Sequence, residues 1–421
     1  MKLKKIGRAS LAAAACVAAG LFLASCNPNA TIDYVFVTST SGSSGAGQVS
    51  SYHAESDSGV LIQVAGSPFS SNGNNPVAAV PSPNGQYLYV ANEGSNNIAQ
   101  FNIGTDGQLV AAQTYTTPGS EPVSLAINNA GTLLFVLDYY GPGFSDALPG
   151  PGGLVVYPIN SDGSLGTPVA NGSSSLTPVQ CFPGGVAVSA SGAYAYVTNT
   201  NSVVVTTTAP TTATPPATPA SCPAQGTISG FSIGSTGALT ALPGSPYLAG
   251  TTPTGIAIDP TSRFVYATDS VQNELIVYDV QSDGSLLALE NGPFQTGTFP
   301  VAATVDPRGL YLYVSNFNSN NINEFSINQS TGAPSSLASS TYGSKADFPT
   351  CLVVDPATGH YLYVSNFSTP PYVTGADLNP DSGALSGLQD QPFPANGYPT
   401  CITAVPHGNH STQYVSANPG Q

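Results

Sequence analysis

Apolar and polar positions change over along this chain in short bursts, and one burst pattern repeats. Between Pro76 and Leu109 four runs are separated by turn signals. Pro76 to Val80 is apolar, and Pro81-Ser82-Pro83-Asn84-Gly85 is a turn. Tyr87-Leu88-Tyr89-Val90 is an aromatic and β-branched run closed by Asn92. Asn97 to Ile103 is a third run around Phe101, and Asp106-Gly107-Gln108-Leu109 opens a fourth. Such runs, with Asn, Gly and Pro between them, are strand and turn chemistry.

The unit recurs. The second-strand aromatic stands at Phe36, Tyr89, Phe135, Tyr196, Tyr266, Tyr313 and Tyr363, at intervals near 50 residues. The third-strand aromatic is Tyr52, Phe101, Tyr157, Phe231, Tyr278 and Phe325, with Asp377 in the weak seventh copy. A Gly and a nearby Leu open each fourth strand, and a Pro precedes each first strand: Pro76, Pro122, Pro183, Pro253, Pro300, Pro349 and Pro399. Seven copies of a four-strand unit at this period predict an all-β fold, a single seven-bladed β-propeller with four antiparallel strands per blade. Beyond the first 25 residues no stretch shows helical spacing of apolar residues, and Gly and Pro supply 45 and 37 of the 421 positions of the full sequence.

The order of elements predicts the closure. The chain enters at a second strand, Tyr34 to Val37, and its last first-strand lies near the C-terminus, Cys401 to Val405. The C-terminal strand should complete the first blade as its innermost strand and remove a free edge. The propeller is therefore placed at residues 34 to 406, with 407 to 421 as a tail containing an orphan Tyr414-Val415-Ser416 run.

The first 25 residues are read as outside the fold. Lys2, Lys4, Lys5 and Arg8 precede an apolar stretch, Leu11 to Leu23, that is short for a membrane span. Leu23-Ala24-Ser25-Cys26 resembles a bacterial lipobox, which implies cleavage before Cys26 and lipidation of its thiol, with residues 26 to 33 as a short tether. The expected location is the cell envelope, on the periplasmic or cell-surface side of a membrane. Beyond residue 25 only Arg263, Arg308 and Lys345 are basic, against 22 acidic residues, a balance of −19. No basic stripe exists to meet phosphates, so nucleic acid is excluded as a partner. The lipid must do the anchoring, because the chain's own charge repels an anionic surface.

With Cys16 in the leader and Cys26 carrying the lipid, four cysteines remain, an even number that suggests disulfides in an exported protein. Three pairings are open. Position along the repeat favours Cys181–Cys222 and Cys351–Cys401, with two buried free thiols as the alternative for the second pair.

Tyr196-Val197-Thr198-Asn199, Tyr89-Val90-Ala91-Asn92 and the Tyr-Val-Ser-Asn copies at 313 and 363 resemble the Tyr-Val-Thr-Asn repeat of surface-layer propellers. The wider unit is similar to the seven-bladed lactonase family that includes 6-phosphogluconolactonase. That resemblance implies a His near the start of an early innermost strand and an Asp-Leu-Gly-x-Asp run after a second strand. Here Glu121 and Phe182 precede Pro122 and Pro183, and the acidic run is Asp138-Tyr139-Tyr140-Gly141. The family's catalytic His, Arg and Asp positions are thus not recognisable. Arg263 and Arg308 read as turn surface.

Three sets of polar residues are candidates for chemistry. Asn92, Asp138, Asn199, Asp269, Asn316 and Asn366 end the second strands and form a candidate polar ring for a sugar or cation, or else each caps its own turn. Asp259, Asp306 and Asp355, each followed by Pro, read as type I turns. His53, His360, His407 and His410 read as surface residues without a catalytic partner. No metal motif or phosphate loop is present, and no cofactor is expected.

Three insertions, Gly141 to Gly152, Thr206 to Gln225 and Thr369 to Tyr372, all follow second strands and share one face. They favour a ligand-binding or scaffold protein with a carbohydrate or protein partner on that face. A lactone hydrolase and a surface-layer structural component are the alternatives.

Overall fold

The computed structural model describes residues 30–42, 45–200, 222–343 and 347–407. Seven sheets of four main strands each are arranged as the blades of a propeller. Their innermost strands are Tyr398–Pro406 in blade 1, then Pro76–Pro81, Ser120–Ile127, Pro183–Val188, Pro253–Ile258, Pro300–Val305 and Pro349–Val354 in blades 2 to 7. Among the described residues the one helical element is a 3-10 turn at Glu93–Ser95. The ring closes as the strand order predicts: Tyr398–Pro406 pairs antiparallel with Thr31–Ser41, from Asp33 opposite Pro406 to Thr40 opposite Tyr398. The first strand begins at Thr31, three residues before Tyr34.

Second strands such as Tyr311–Asn316 and Tyr361–Asn366 are buried along their whole length. Both of their faces pack on neighbouring blades, which is why they read as unbroken apolar runs rather than alternating ones. The Tyr-x-Tyr motif has a second role. The inner tyrosine hydroxyl donates to the carbonyl of a turn glycine in the next blade: Tyr89 to Gly163, Tyr196 to Gly284, Tyr266 to Gly332, Tyr313 to Gly383 and Tyr363 to Gly59, at 2.7 to 3.0 Å. The outer ring lies on that same glycine. A Cβ on Gly163 would come 2.4 Å from the Tyr87 ring, and its φ of 79° already disfavours any L side chain. The Asp-Gly turn and the Tyr-x-Tyr strand are therefore two halves of one blade-to-blade latch.

Two readings are corrected. Arg308 is not turn surface. It is 7% exposed, pairs with Asp306 at 2.9 Å, donates to the Pro380 carbonyl of blade 7 at 2.7 Å and lies over the Tyr311 ring. A neighbouring blade, invisible in local sequence, covers it. In blade 3 the ladder at Leu165 shrinks to a single bridge with Ile159, and the outer strand is Leu176–Cys181, next to the disulfide. Both disulfides link the favoured pairs, with Cα separations of 5.6 Å for Cys181–Cys222 and 5.0 Å for Cys351–Cys401. The second joins the innermost strands of blades 7 and 1 across the closure.

A buried carboxyl pair sits at the same seam. Asp33 is fully buried and lies against Asp355 and the Ala357 backbone. Asp355 beside it accepts from the backbone N–H of Ala357, Thr358, His360 and Tyr361. Burial, and then the Asp355 charge, push the Asp33 carboxyl well above its usual range. The native state thus holds a proton that the unfolded chain releases near pH 3.9. A raised folded pKa means stability is lost as pH rises from that value through the folded one. Asp33→Asn is expected to raise the thermal midpoint at pH 7 while leaving it nearly unchanged at pH 4. An equal displacement at both pH values would remove this explanation.

Candidate functional site

The backbone builds a repeated position at the insertion-face mouth of the channel: the residue before each innermost-strand proline. Its seven occupants are Asn75, Glu121, Phe182, Thr252, Phe299, Phe348 and Tyr398. In Asn75, Glu121, Phe182, Phe299 and Phe348 the φ angle is 51° to 60°. Bulky side chains before proline rarely adopt that left-handed conformation, which costs on the order of 1–3 kcal/mol. The surrounding chain holds it there. The Glu121, Phe299 and Phe348 N–H groups donate to Asn96, Asn273 and Asn320 Oδ1 of the preceding blades, at 2.7 to 2.9 Å. The Phe299 and Phe348 carbonyls accept from Phe317 and Phe367 N–H, at 2.9 Å each. The fold therefore fixes the backbone while the side chain differs from blade to blade: Phe182 and Thr252 are buried, and Asn75, Glu121, Phe299, Phe348 and Tyr398 reach the mouth at least in part.

Blades 2 and 3 contribute an acidic sector. Asn75 Nδ2 donates to Glu93 Oε2. Burial, then the charges of Asp146 and Glu93, raise the Glu121 carboxyl to about 7. Glu93 is raised too, chiefly by burial. Half-buried Tyr139 packs edge-on to Tyr140 at 4.9 Å and against Phe182 at 5.6 Å, and the Tyr140 hydroxyl donates to Asp146 Oδ1 at 3.1 Å. Burial, then the Glu121 charge, push the Tyr139 hydroxyl far above its usual range, so it stays a donor. The Cys181–Cys222 disulfide packs against this wall of Tyr139, Tyr140 and Phe182. Among the described residues no cation stands at the mouth. Arg263 and Arg308 belong to turns on the opposite face, and Lys345 lies outside the described residues.

The sequence-derived candidates lie elsewhere. Asn92, Asp138, Asn199, Asp269, Asn316 and Asn366 are all fully buried. Asn316 donates to Asn321 and Asn323, and Asn366 to Thr374. Asn92 exchanges bonds with Ser71, while Asn199 accepts from Gln180 N–H. Asp269 accepts from Thr252, Val271 and Gln272 N–H. Asp138 accepts from Gly119 N–H at 2.9 Å, and burial raises it to about 7. These groups tie second strands to neighbouring segments and are closed to solvent. Asp259, Asp306 and Asp355 accept from the backbone of their own turns. His53 is half-buried and His360 exposed. His407 donates its N–H to the Ile32 carbonyl and sits on the Tyr34 ring at 4.6 Å. Cys26, His410, the 414–416 run and most of the Thr206 to Gln225 insertion lie outside the described residues. Among the described residues no cluster of His, Cys, Asp or Glu is placed to hold a metal ion.

A family model described as lactonase, 7-bladed beta-propeller, matches residues 49–141 and 185–354. No curated protein sequence matches the chain. Among solved structures, the periplasmic gluconolactonase PpgL of Pseudomonas aeruginosa is 17% identical, with a TM-score of 0.69, over 90% of this chain and 100% of that one. A candidate 6-phosphogluconolactonase of Bacteroides fragilis is 18% identical, with a TM-score of 0.67, over 89% of this chain and 98% of that one. Likeness at these identities concerns the fold.

Proposed function

The chain belongs to the seven-bladed β-propeller lactonase family, and from that premise we propose that it opens the lactone ring of an uncharged sugar at the channel mouth. The observation that carries this reading is Glu121, a carboxyl raised to about 7 and presented at the mouth on a strained backbone. A general base works best with a pKa near the operating pH. In its ionised form Glu121 takes a proton from water as the water oxygen attacks the lactone carbonyl. Tyr139, kept protonated beside it, is the donor available to the oxyanion that develops. The tetrahedral intermediate collapses by breaking the bond from the acyl carbon to the ring oxygen. That oxygen receives the proton held by Glu121, and the products are a free hydroxyl and a carboxylic acid. The acid ionises, and the charges of Glu93, Glu121 and Asp146 then repel it.

The same charges define the substrate class. A phosphorylated lactone would bring two negative charges to a mouth where no described residue is cationic. The purified protein is expected to hydrolyse glucono-δ-lactone above the spontaneous rate. Its kcat/KM for the 6-phosphorylated lactone should be lower by about tenfold or more, or about 1.4 kcal/mol. Equal rates on both, or no rate above background on a panel of neutral lactones, would overturn this reading. In the second case a binding protein without turnover is favoured.

Lipid anchoring through Cys26 belongs to the same proposal. Thr31 starts its strand level with Pro406, at the end of the propeller away from Tyr398 and the mouth. A tether there leaves the mouth open to solvent. Cys26→Ala is expected to move the protein from the membrane to the soluble fraction, and its retention in the membrane would remove the anchor.

A further inference from the structure

Across the mouth from the acidic sector, blades 6, 7 and 1 present five aromatic rings. Phe299 and Phe348 occupy the strained position before proline. Phe317 lies 6.1 Å from Phe299 and 5.0 Å from Phe348, ring to ring. Phe367 stacks on Tyr398 at 5.0 Å with 28° between planes. Phe348 is 36% exposed. Phe317 is buried beneath the arc, while Phe299, Phe367 and Tyr398 are half-buried beside Phe348. Partly exposed aromatics beside one another, two of them held in a conformation that costs energy, mark a binding surface rather than a core.

We propose that this arc is a saccharide platform, and that the substrate is an uncharged oligosaccharide whose lactone end reaches Glu121 while further sugar rings lie on Phe348, Phe299 and Tyr398. The substrate side of this inference rests on the lactonase reading. Sugar rings have flat C–H faces that cover aromatic rings and hydroxyl edges that stay wet or meet polar neighbours. The arc supplies both, since exposed Asp347 and Asn320 border Phe348 and bond to each other at 3.0 Å. An anion is disfavoured because Asp347 places a negative charge beside Phe348. A lipid surface is disfavoured by that acidic rim and by the position of Thr31 at the far end of the propeller. Binding energy from rings remote from the reacting bond can be used to orient the lactone.

Calorimetric titration with uncharged di-, tri- and tetrasaccharides of several linkages, unoxidised and as reducing-end lactones, tests the platform separately from turnover. Affinity is expected to rise about tenfold or more from a monosaccharide to a trisaccharide in at least one series. Phe348→Ala should abolish most of that rise, while Phe348→Tyr retains it. Both variants should keep the wild-type thermal midpoint. Length-dependent binding of unoxidised sugars without lactone turnover would keep the platform and remove the Glu121 reaction. Turnover with no length dependence in any series would do the reverse. Phe348-dependent binding to zwitterionic vesicles, without sugar binding, would replace the saccharide with a lipid and overturn the proposal.

Discussion

Glu121→Gln is expected to lower kcat on a neutral sugar lactone by about 10²–10⁴-fold, the range that a positioned base contributes, with little change in KM. Gln keeps the size of the side chain and its amide can still meet a sugar hydroxyl, so binding persists while proton transfer is lost. The backbone that presents residue 121 is fixed by Asn96 Oδ1 and by the ladder from Pro122 to Asp138, neither of which uses the carboxyl. The thermal midpoint should therefore not fall with the loss, and at neutral pH it should rise slightly because the raised carboxyl is gone. The wild-type pH profile supplies an independent readout. The base form of Glu121 accumulates as pH rises through about 7, so activity should climb toward a plateau above that value. Two units below the midpoint it should stand about 100-fold lower. Asp146→Asn removes the larger of the two charges that raise this group. It should shift the midpoint to lower pH without abolishing the plateau. A Gln variant that keeps activity within about tenfold of wild type would exclude Glu121 as the base.

Much of this architecture can be read from the chain because the same constraint recurs in five of the seven blades. Each Tyr-x-Tyr strand must reach a turn glycine in the next blade, so Tyr363 and Gly59 are as recognisable as Tyr89 and Gly163 despite lying at opposite ends of the sequence. The mouth escapes this kind of reading. Its backbone position repeats, marked by the following proline, but its side chains run from Asn75 through Glu121 to Phe348. A search for the constant residue selects the buried caps Asn92 to Asn366 and passes over the variable position before each proline. In the sequence Glu121 and Phe182 register only as departures from an expected His. Their shared left-handed φ and the charges gathered around Glu121 come from three-dimensional placement. The useful signal would have been variation at a fixed point of the repeat, because a fold needs all seven blades alike whereas a site needs only a few. Arg308 escaped for a related reason, since its cover, the Pro380 carbonyl, belongs to another blade.

Removing Thr400 to Gln421 is expected to abolish cooperative folding, whereas removing only residues 408–421 should leave it nearly intact. The longer truncation takes most of the strand that pairs with Thr31–Ser41 and leaves blade 1 with an open inner edge. Ile402, Ala404 and Val405 leave the core with it, at about 1.5–3 kcal/mol for each of the larger two. Thr400 Oγ1 no longer reaches the Pro76 carbonyl of blade 2, a 2.6 Å contact that stitches the seam. The Cys351–Cys401 bridge, which spans 50 residues, is also lost, and removing a native disulfide costs about 2–5 kcal/mol. Together these losses rival the whole of a typical folding free energy, about 5–15 kcal/mol. The shorter truncation keeps His407, whose N–H bonds to Ile32 and whose ring packs on Tyr34. Cys401→Ser divides the effect: it should lower the thermal midpoint but leave a single cooperative transition, because the strand itself remains. Circular dichroism melts of the full chain and the three variants decide the matter. If the chain ending at Pro399 unfolds cooperatively within a few degrees of the full-length protein, the C-terminal strand is not what holds the ring closed.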